Sequence, residues 1–320
     1  RALPLDAQLT RLPEDLADPL IPAREFAMTR VARLLRDSVP VSAPIQTALR
    51  ERLTDPSSAL RLQAVLLLDE MASPNLAELV AARLPEETNR EVLRAYLDVL
   101  ANRAHRAALP SILARLENPE LRSAAAAAVW RLARQIRLSA EERAQAAQAL
   151  RAVRNPERSS PAVDRALVAV ADDNAIADLI ALLDTVEPDH RAAIAEGLVV
   201  RGLRQPLLDR ANDPIIYPYA LQAIAADEPT LSNFRIIIGL APPEGLADLW
   251  SESVRQLARN ADPEPDVIIE VDRLLERASY ATPRLREMIL LRAAVLPPEP
   301  MTADQPARLL RRLTPLLFEL

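Results

Sequence analysis

Asn118–Ile136, NPELRSAAAAAVWRLARQI, carries the pattern on which the rest of the chain is built. Pro119 follows Asn118, which is the arrangement of an N-cap side chain with a proline in the first helical turn. Five alanines, Ala124 to Ala128, come next, and alanine combines the highest helix propensity with almost no side-chain bulk. A helix with so thin a face lets other helices approach closely. We therefore expect this helix to be packed between neighbouring helices.

The same kind of break recurs along the chain at intervals typical of paired helices. An Asp or Asn precedes proline at Asp55-Pro56, Asn118-Pro119, Asn155-Pro156 and Asp213-Pro214. Weaker breaks at Pro85 and Pro188 divide the longer intervals, which gives a period of roughly 26–40 residues, as in helical solenoids. Between the breaks the apolar residues keep a helical period, as in the stripe Val92, Leu93, Tyr96, Leu97 and Leu100. No stretch alternates as a half-buried strand does, so the sequence predicts an all-α protein.

The two ends of the chain differ from its middle. Prolines at positions 4, 13, 19 and 22 predict an irregular N-terminal extension over residues 1–22, with at most one short helix. The helical period begins at Ala23, so a repeat solenoid is expected over residues 23–320. Two segments, Ser139–Glu142 and Thr302–Gln305, match capping boxes, in which two backbone donors at a helix start are satisfied reciprocally.

The first helix of several units also carries a recurring arginine. A small or aliphatic residue lies three positions after the arginine, and a second one lies seven positions after it. The examples are Arg61-Ala64-Leu68, Arg90-Leu93-Leu97, Arg122-Ala125-Val129 and Arg191-Ile194-Leu198. With the preceding Asp/Asn-Pro, the pattern resembles the HEAT-repeat superfamily in its short bacterial form, best over residues 44–200. The resemblance implies a right-handed α-solenoid (superhelix) of about eight HEAT-like helix pairs, whose second helices line a concave surface for other macromolecules.

The composition excludes several classes of site. The 320 residues include no cysteine, which excludes disulfides and Cys-ligated metals, and only 4 glycines, which disfavours phosphate-binding loops. There is no lysine, so all 39 basic residues are arginine. The two histidines, His105 and His190, have no nearby ligand in metal-binding spacing. We expect no catalytic residue, no metal and no other cofactor.

Charge and hydropathy bear on the partners. The formal net charge of −6 argues against a general nucleic-acid binder, and no apolar run approaches the roughly 18 residues of a membrane span. The chain begins at Arg1, which favours a processed, exported or periplasmic chain over a cytoplasmic one, although an excised piece would begin in the same way. We expect a non-enzymatic scaffold or adaptor for a protein partner, alone or as a structural subunit of a larger assembly. The alternative is a HEAT-like enzyme or enzyme accessory that acts on a nucleic acid or a bound chromophore.

An aromatic group is the first candidate for partner contact. Aromatic residues make up 3% of the chain, yet Tyr217, Tyr219, Phe234 and Trp250 fall within one short region. Tyrosine and tryptophan are enriched in binding hot spots, but they also fill gaps between irregular repeats, so both roles stay open. Pro218 is expected to weaken the helix between the two tyrosines.

Two further candidates are a basic segment and the C-terminus. Residues 131–158, which include Arg131 and Arg134, hold seven arginines against three glutamates, and an acidic segment follows at 172–196. This charge asymmetry could steer a charged partner or DNA, or could belong to solvated helix faces. Leu317, Phe318 and Leu320 end an apolar stripe that either packs on the preceding unit or is covered by a partner, a second copy or a further domain.

Overall fold

The protein is all-helical over the residues that the computed structural model describes, which are 5–154, 160–260 and 265–295. Eighteen α-helices and four short 3₁₀ helices, with no strand, account for the regular structure of these ranges. The all-α prediction is therefore confirmed. The described residues divide into two compact units, one up to Asn174 and one from Ala175.

The N-terminal unit contains the first ten helices. They are α1 (Leu5–Leu16), α2 (Ile21–Arg36), α3 (Ala43–Glu51), α4 (Ser58–Glu70), α5 (Leu76–Arg83), α6 (Arg90–Asn102), α7 (Leu109–Ala114), α8 (Arg122–Gln135), α9 (Ala140–Val153) and α10 (Pro161–Val170). The even-numbered helices from α2 to α10 each pack on the next even-numbered helix, and α3, α5, α7 and α9 pack beside them. Each helix in this row thus meets the helix two places along the chain.

The C-terminal unit repeats this packing with eight helices. They are α11 (Asp173–Ala181), which lies almost wholly in this unit, α12 (Pro188–Val200), α13 (Gln205–Leu208), α14 (Tyr217–Ala225), α15 (Leu231–Gly239), α16 (Ala247–Arg259), α17 (Pro265–Arg277) and α18 (Pro283–Val295). Helices α12, α14, α16 and α18 form one row in which each packs on the next, and α15 packs on both α16 and α17.

The alanine-rich segment forms α8, and its small side chains face the interior. Ala125, Ala126 and Ala128 are fully buried, and Trp130 is 4% exposed. Helix α8 packs on α6 on one side and on α10 on the other, as expected for a thin helix between neighbours. The capping box is also confirmed at α9, where the Ser139 hydroxyl accepts from the Glu142 backbone and the Glu142 side chain accepts from the Ser139 backbone. The second capping box, at Thr302, lies outside the described residues.

The N-terminal extension, for which the sequence allowed at most one short helix, contains a helix of 12 residues. Residues 5–16 form α1, which contains Pro13 and packs on α2 and α3. Leu12 and Leu16 are 1% and 0% exposed, so burial of an apolar face outweighs the cost of a proline within the helix. Helix α2 begins at Ile21, two residues before the predicted start at Ala23.

The Asp/Asn-Pro pairs are turns before helices, and their side chains are not helix N-caps. The side chains of Asp55, Asn118 and Asp213 each accept a hydrogen bond from the backbone N–H two residues on, at 2.8–2.9 Å. The following helices begin at Ser58, Arg122 and Tyr217, three or four residues later. Asx turns of this kind satisfy backbone donors locally, which delays the helix start. Asn155-Pro156 lies outside the described residues.

The recurring arginine ties each such helix to the turn in front of it. Arg61 donates to the carbonyls of Asp55 and Pro56 at 2.8 and 3.2 Å, and Arg122 and Arg191 reach the Leu116 and Val186 carbonyls at 3.0 and 3.2 Å. Arg24 of α2 makes the same contact with the carbonyls of Asp18 and Pro19. Arg90 differs, because it is exposed and pairs with Glu91. The arginine therefore satisfies carbonyls at the end of the preceding segment.

Candidate binding pocket at the turns before α4 and α6

A polar cavity of about 360 Å³ lies in the N-terminal unit, where the turn before α4 meets the turn before α6. We call it the turn pocket. It is lined by Leu53, Thr54, Asp55, Pro56, Arg61, Arg83, Glu86, Glu87, Thr88 and Tyr96. Arg61 comes from α4, Arg83 from the last turn of α5 and Tyr96 from the second turn of α6. A volume of this size is at the lower end of the range for small-ligand sites.

One wall of the turn pocket is a forked ion pair between Arg61 and Glu87. Arg61 Nε donates to Glu87 Oε2 at 2.7 Å, and its Nη2 donates to Oε1 at 2.8 Å. Glu87 Oε1 also accepts from the backbone N–H groups of Thr88 and Asn89. The Glu87 side chain is 4% exposed, so these four hydrogen bonds stabilise a carboxylate that is almost fully removed from water.

The pair fixes the charge state of Glu87. Burial raises the pKa of this carboxyl, but the bonds from Arg61 and from the backbone of Asn89 and Thr88 outweigh burial and hold the pKa below its ordinary value. The bond to Glu87 likewise raises the pKa of Arg61. Both groups are therefore charged at neutral pH, and the wall is an ion pair.

The second buried carboxylate of the turn pocket is also fully engaged. Asp55 accepts hydrogen bonds from Arg24 Nη2 at 3.1 Å, from Arg52 at 3.4 Å and from the backbone N–H of Ser57 at 2.9 Å, and Arg24 Nε lies 2.8 Å from Asp55 Oδ2 in the same ion pair. Its side chain has no exposed surface. The Asp55 carboxylate is therefore held by the guanidinium groups of Arg24 and Arg52, and its oxygens have few lone pairs left to accept a hydrogen bond from a ligand.

Four lining residues have unused polar capacity, and one of them is Thr88, whose exposed hydroxyl has no hydrogen bond among the described residues. Within the part of the chain that the structure describes, the Arg83 guanidinium, the Glu86 carboxylate and the Tyr96 hydroxyl have no hydrogen-bond or ion-pair partner. Tyr96 is 1% exposed, whereas Arg83 is half-buried and Glu86 is exposed. Burial raises the pKa of Tyr96, and repulsion from Glu87 adds to this effect, so the hydroxyl is protonated and able to donate at neutral pH.

The turn pocket offers hydrogen-bond donors to a ligand. A guanidinium and a protonated phenol are both hydrogen-bond donors, and Arg83 and Tyr96 line the same cavity. Among the described residues no group of three or more His, Asp or Glu could hold a metal ion. Over those same residues no helix has both the length and the apolar character needed to cross a membrane.

The aromatic candidates for partner contact lie mainly in the core of the C-terminal unit. Tyr217, Phe234 and Trp250 have no exposed surface, so they are not available to a partner and fill the interior. Tyr219 is half-buried and remains a candidate. Pro218 does not weaken the helix between the tyrosines, because α14 begins at Tyr217 and the proline occupies its first turn.

The buried aromatic residues have a structural role at the end of α15. Tyr217 Oη donates to the Leu240 carbonyl at 2.9 Å, Trp250 Nε1 donates to the Ile237 carbonyl at 2.8 Å, and Tyr280 Oη donates to the Ile238 carbonyl. The Trp250 and Tyr280 rings meet edge to face at 4.8 Å. Three aromatic donors thus bind carbonyls at and just after the end of α15, and the Ile237 carbonyl also accepts from the Leu240 N–H at 3.3 Å.

The basic candidates are at the surface but are engaged within the fold. Arg131 pairs with Asp98 and donates to Asn102 Oδ1 at 3.0 Å. The Arg134 guanidinium lies over the Trp130 ring, 5.4 Å from its centroid. Both remain candidates for a partner, at the cost of giving up these contacts. Leu317, Phe318 and Leu320 lie outside the described residues.

The sequence patterns do not bring the turn pocket together, although they single out four of its residues, including the pair Asp55-Pro56. Arg61 marks the recurring arginine, and Tyr96 belongs to the apolar stripe that α6 buries. Arg83 and Glu87 lie in and after α5 with no distinctive spacing, so only the approach of the two turns brings them together. In comparisons with protein-family models and with curated proteins, no match to this chain is found.

Proposed function

We propose that the protein is a non-enzymatic scaffold that binds a protein partner, built as an α-solenoid of HEAT-like helix pairs. The observation that carries this proposal is the packing order within each unit, where alternate helices pack in chain order from α2 to α10 and from α12 to α18. Packing between near neighbours in sequence is the defining property of repeat proteins, and it leaves long surfaces free for a partner.

The ion pairs between successive turns support the same architecture. Arg24 of α2 reaches Asp55 before α4, Arg61 of α4 reaches Glu87 before α6, and in the C-terminal unit Arg191 of α12 reaches Asp213 before α14. Each link joins one helix pair to the turn that opens the next. A ladder of such links holds consecutive pairs in register, which a scaffold needs if its surface is to keep a constant shape.

Affinity purification from the native source, followed by chemical cross-linking, tests the scaffold proposal. Because the chain has no lysine, the cross-linker should target its 45 carboxylates. A partner recovered in stoichiometric amount, with cross-links to one contiguous surface, supports the proposal. A chain that sediments as a monomer in native extract, with no stoichiometric partner, contradicts it.

A salt titration separates this proposal from nucleic-acid binding. Binding to DNA through arginine–phosphate contacts would weaken steeply as salt rises, because counterions are released on association. We expect no DNA binding at low salt. A steep salt dependence that Arg131→Gln and Arg134→Gln reduce would favour the alternative, a protein that acts on nucleic acid.

A further inference from the structure

We propose that the turn pocket is a binding site for a single ligand carboxylate, held by the Arg83 guanidinium and the Tyr96 hydroxyl. The carboxylate can belong to an acidic side chain of the protein partner proposed above or to a small free acid. Only the first source rests on the scaffold proposal.

The hydrogen-bond inventory of the pocket determines which groups a ligand meets. Asp55 is saturated by Arg24, Arg52 and the Ser57 backbone, and Glu87 is saturated by Arg61 and two backbone N–H groups. Over the described residues, the donors that remain are the Arg83 guanidinium, the Tyr96 hydroxyl and the exposed Thr88 hydroxyl, and of these Arg83 and Tyr96 are the two that are partly or fully buried. Two donors of this kind match the two oxygens of a carboxylate.

Tyr96 is the residue that marks the pocket as a built site. The Tyr96 side chain is 1% exposed, yet its hydroxyl is not among the fully buried polar atoms without a partner, so the oxygen opens into the pocket that the residue lines. The ring belongs to the buried stripe of α6, between Val92 and Leu100, which are both fully buried. The hydroxyl is therefore held at a constant position, and a ligand oxygen would supply the missing partner without ordering a flexible side chain.

The charges of the lining favour a carboxylate over a phosphate. Arg61 and Arg83 face three lining carboxylates, those of Asp55, Glu86 and Glu87. A phosphate carries close to two negative charges at neutral pH, so it meets more repulsion from these groups than a carboxylate does. Of these three carboxylates, Asp55 and Glu87 are paired with arginines, whereas Glu86 has no ion-pair partner among the described residues. Glu86 therefore repels an anionic ligand most directly.

A titration followed by the Nε–H signal of Arg83 in NMR spectra tests the assignment. The probes are glutarate, a capped peptide with one glutamate, the same peptide with glutamine, and inorganic phosphate. We expect saturable shifts with glutarate or the glutamate peptide, and none with the glutamine peptide or phosphate. If glutarate binds and the glutamate peptide does not, the site takes a free acid. Binding of the peptide assigns the site to a protein side chain.

Three variants make the test specific, because two are expected to weaken ligand binding and one is expected to strengthen it. Arg83→Gln and Tyr96→Phe should each weaken binding, by about tenfold for the loss of one charge-assisted bond, and Glu86→Gln should strengthen it. For Arg83→Gln, the Tyr96 ring signals report binding. Arg33→Gln is the control, since Arg33 is an exposed arginine of α2 that pairs with Asp37 away from the pocket. Equal binding by wild type and Arg83→Gln, equal binding of the glutamine peptide, or tighter binding of phosphate would overturn the proposal.

Discussion

At the residue scale, this protein is organised by what arginine can do and lysine cannot. A planar guanidinium has five donors, so Arg61 contacts two backbone carbonyls and both oxygens of Glu87 at once. Arg24 does the same with two carbonyls and Asp55. Each such residue joins the turn before its own helix to the turn before the next helix of the row.

Replacement of Arg61 by methionine should lower the free energy of unfolding by about 2–4 kcal/mol, because it leaves the buried Glu87 carboxylate without its cation. Arg61→Lys should recover only part of this loss, since an ammonium cannot make the forked contact. Urea unfolding measures both. Arg33→Met is the control, and its exposed pair with Asp37 should contribute less than about 1 kcal/mol. Equal losses of stability for Arg61→Met and Arg33→Met would contradict the stabilising role of the Arg61–Glu87 link between successive helix pairs.

A second ion pair gives a prediction on pH. Arg106 donates to both oxygens of Glu142 at 2.7 Å, and these bonds, together with those from Ser139, lower the pKa of Glu142 to about 2. Because this pKa is depressed in the folded protein, the contact stabilises the fold at neutral pH, and its contribution is lost as pH falls from the ordinary value towards 2. Carboxyl NMR titration should show this midpoint in the wild type and a higher one in Arg106→Gln, still below the ordinary value because the bonds from Ser139 remain. An unchanged midpoint in the variant would show that the bonds from Arg106 do not lower the pKa of Glu142.

At the element scale, the end of α15 shows how buried aromatic residues can serve backbone groups. Tyr217, Trp250 and Tyr280 donate to three successive or nearly successive carbonyls at this end. The aromatic cluster in the sequence therefore marks a helix end within the core of the C-terminal unit, and three of its four residues are not a contact surface for a partner.

Tyr217→Phe should destabilise the protein by about 1–3 kcal/mol, because the Leu240 carbonyl loses its donor. Thermal or urea unfolding measures the change. Tyr96→Phe is a matched control in the N-terminal unit, since Tyr96 is as deeply buried and its hydroxyl has no partner among the described residues. We expect no loss of stability in Tyr96→Phe. A loss as large as that of Tyr217→Phe would show that the Tyr96 hydroxyl is already satisfied.

Element prediction from the sequence succeeded where one physical effect dominates. Helix α6 follows its apolar stripe, and α9 begins at the predicted capping box, because burial and local capping are both read from short segments. Where two effects compete, the prediction was incomplete at the N-terminus and wrong about the helix starts at the Asp/Asn-Pro pairs. Pro13 lies within α1 because Leu12 and Leu16 pack inward, and the Asp/Asn-Pro pairs form turns because their side chains bind the backbone two residues on.

At the scale of the whole molecule, each unit is held together by contacts between near neighbours in the chain. In the N-terminal unit α8 packs on α6 and α10, and α4 packs on α2 and α6. In the solenoid proposed above, stability would be approximately a sum of helix-pair terms and of the interfaces between adjacent pairs. Damage at one helix should therefore spread mainly to its direct neighbours.

Ala125→Leu tests this locality. Ala125 is fully buried on α8, so a larger side chain forces neighbouring helices apart and should cost about 1–3 kcal/mol. Hydrogen exchange should accelerate in α6, α8 and α10 and change little in α2. Ala124→Leu is the control, because Ala124 is only half-buried on the same helix. Uniform acceleration across the N-terminal unit would show that it unfolds as one cooperative block and contradict repeat-like behaviour.

The sequence by itself determined that the protein is all-helical, where many of its helices lie, and which arginines recur, because propensity, periodicity and capping act within one or two helical turns. It did not reveal the turn pocket. Arg61, Arg83 and Tyr96 are separated by up to 35 residues and have no special spacing. These residues lie close together because α4 and α5 both pack on α6. Only the tertiary structure therefore decided that the donors of Arg83 and Tyr96 would line one pocket.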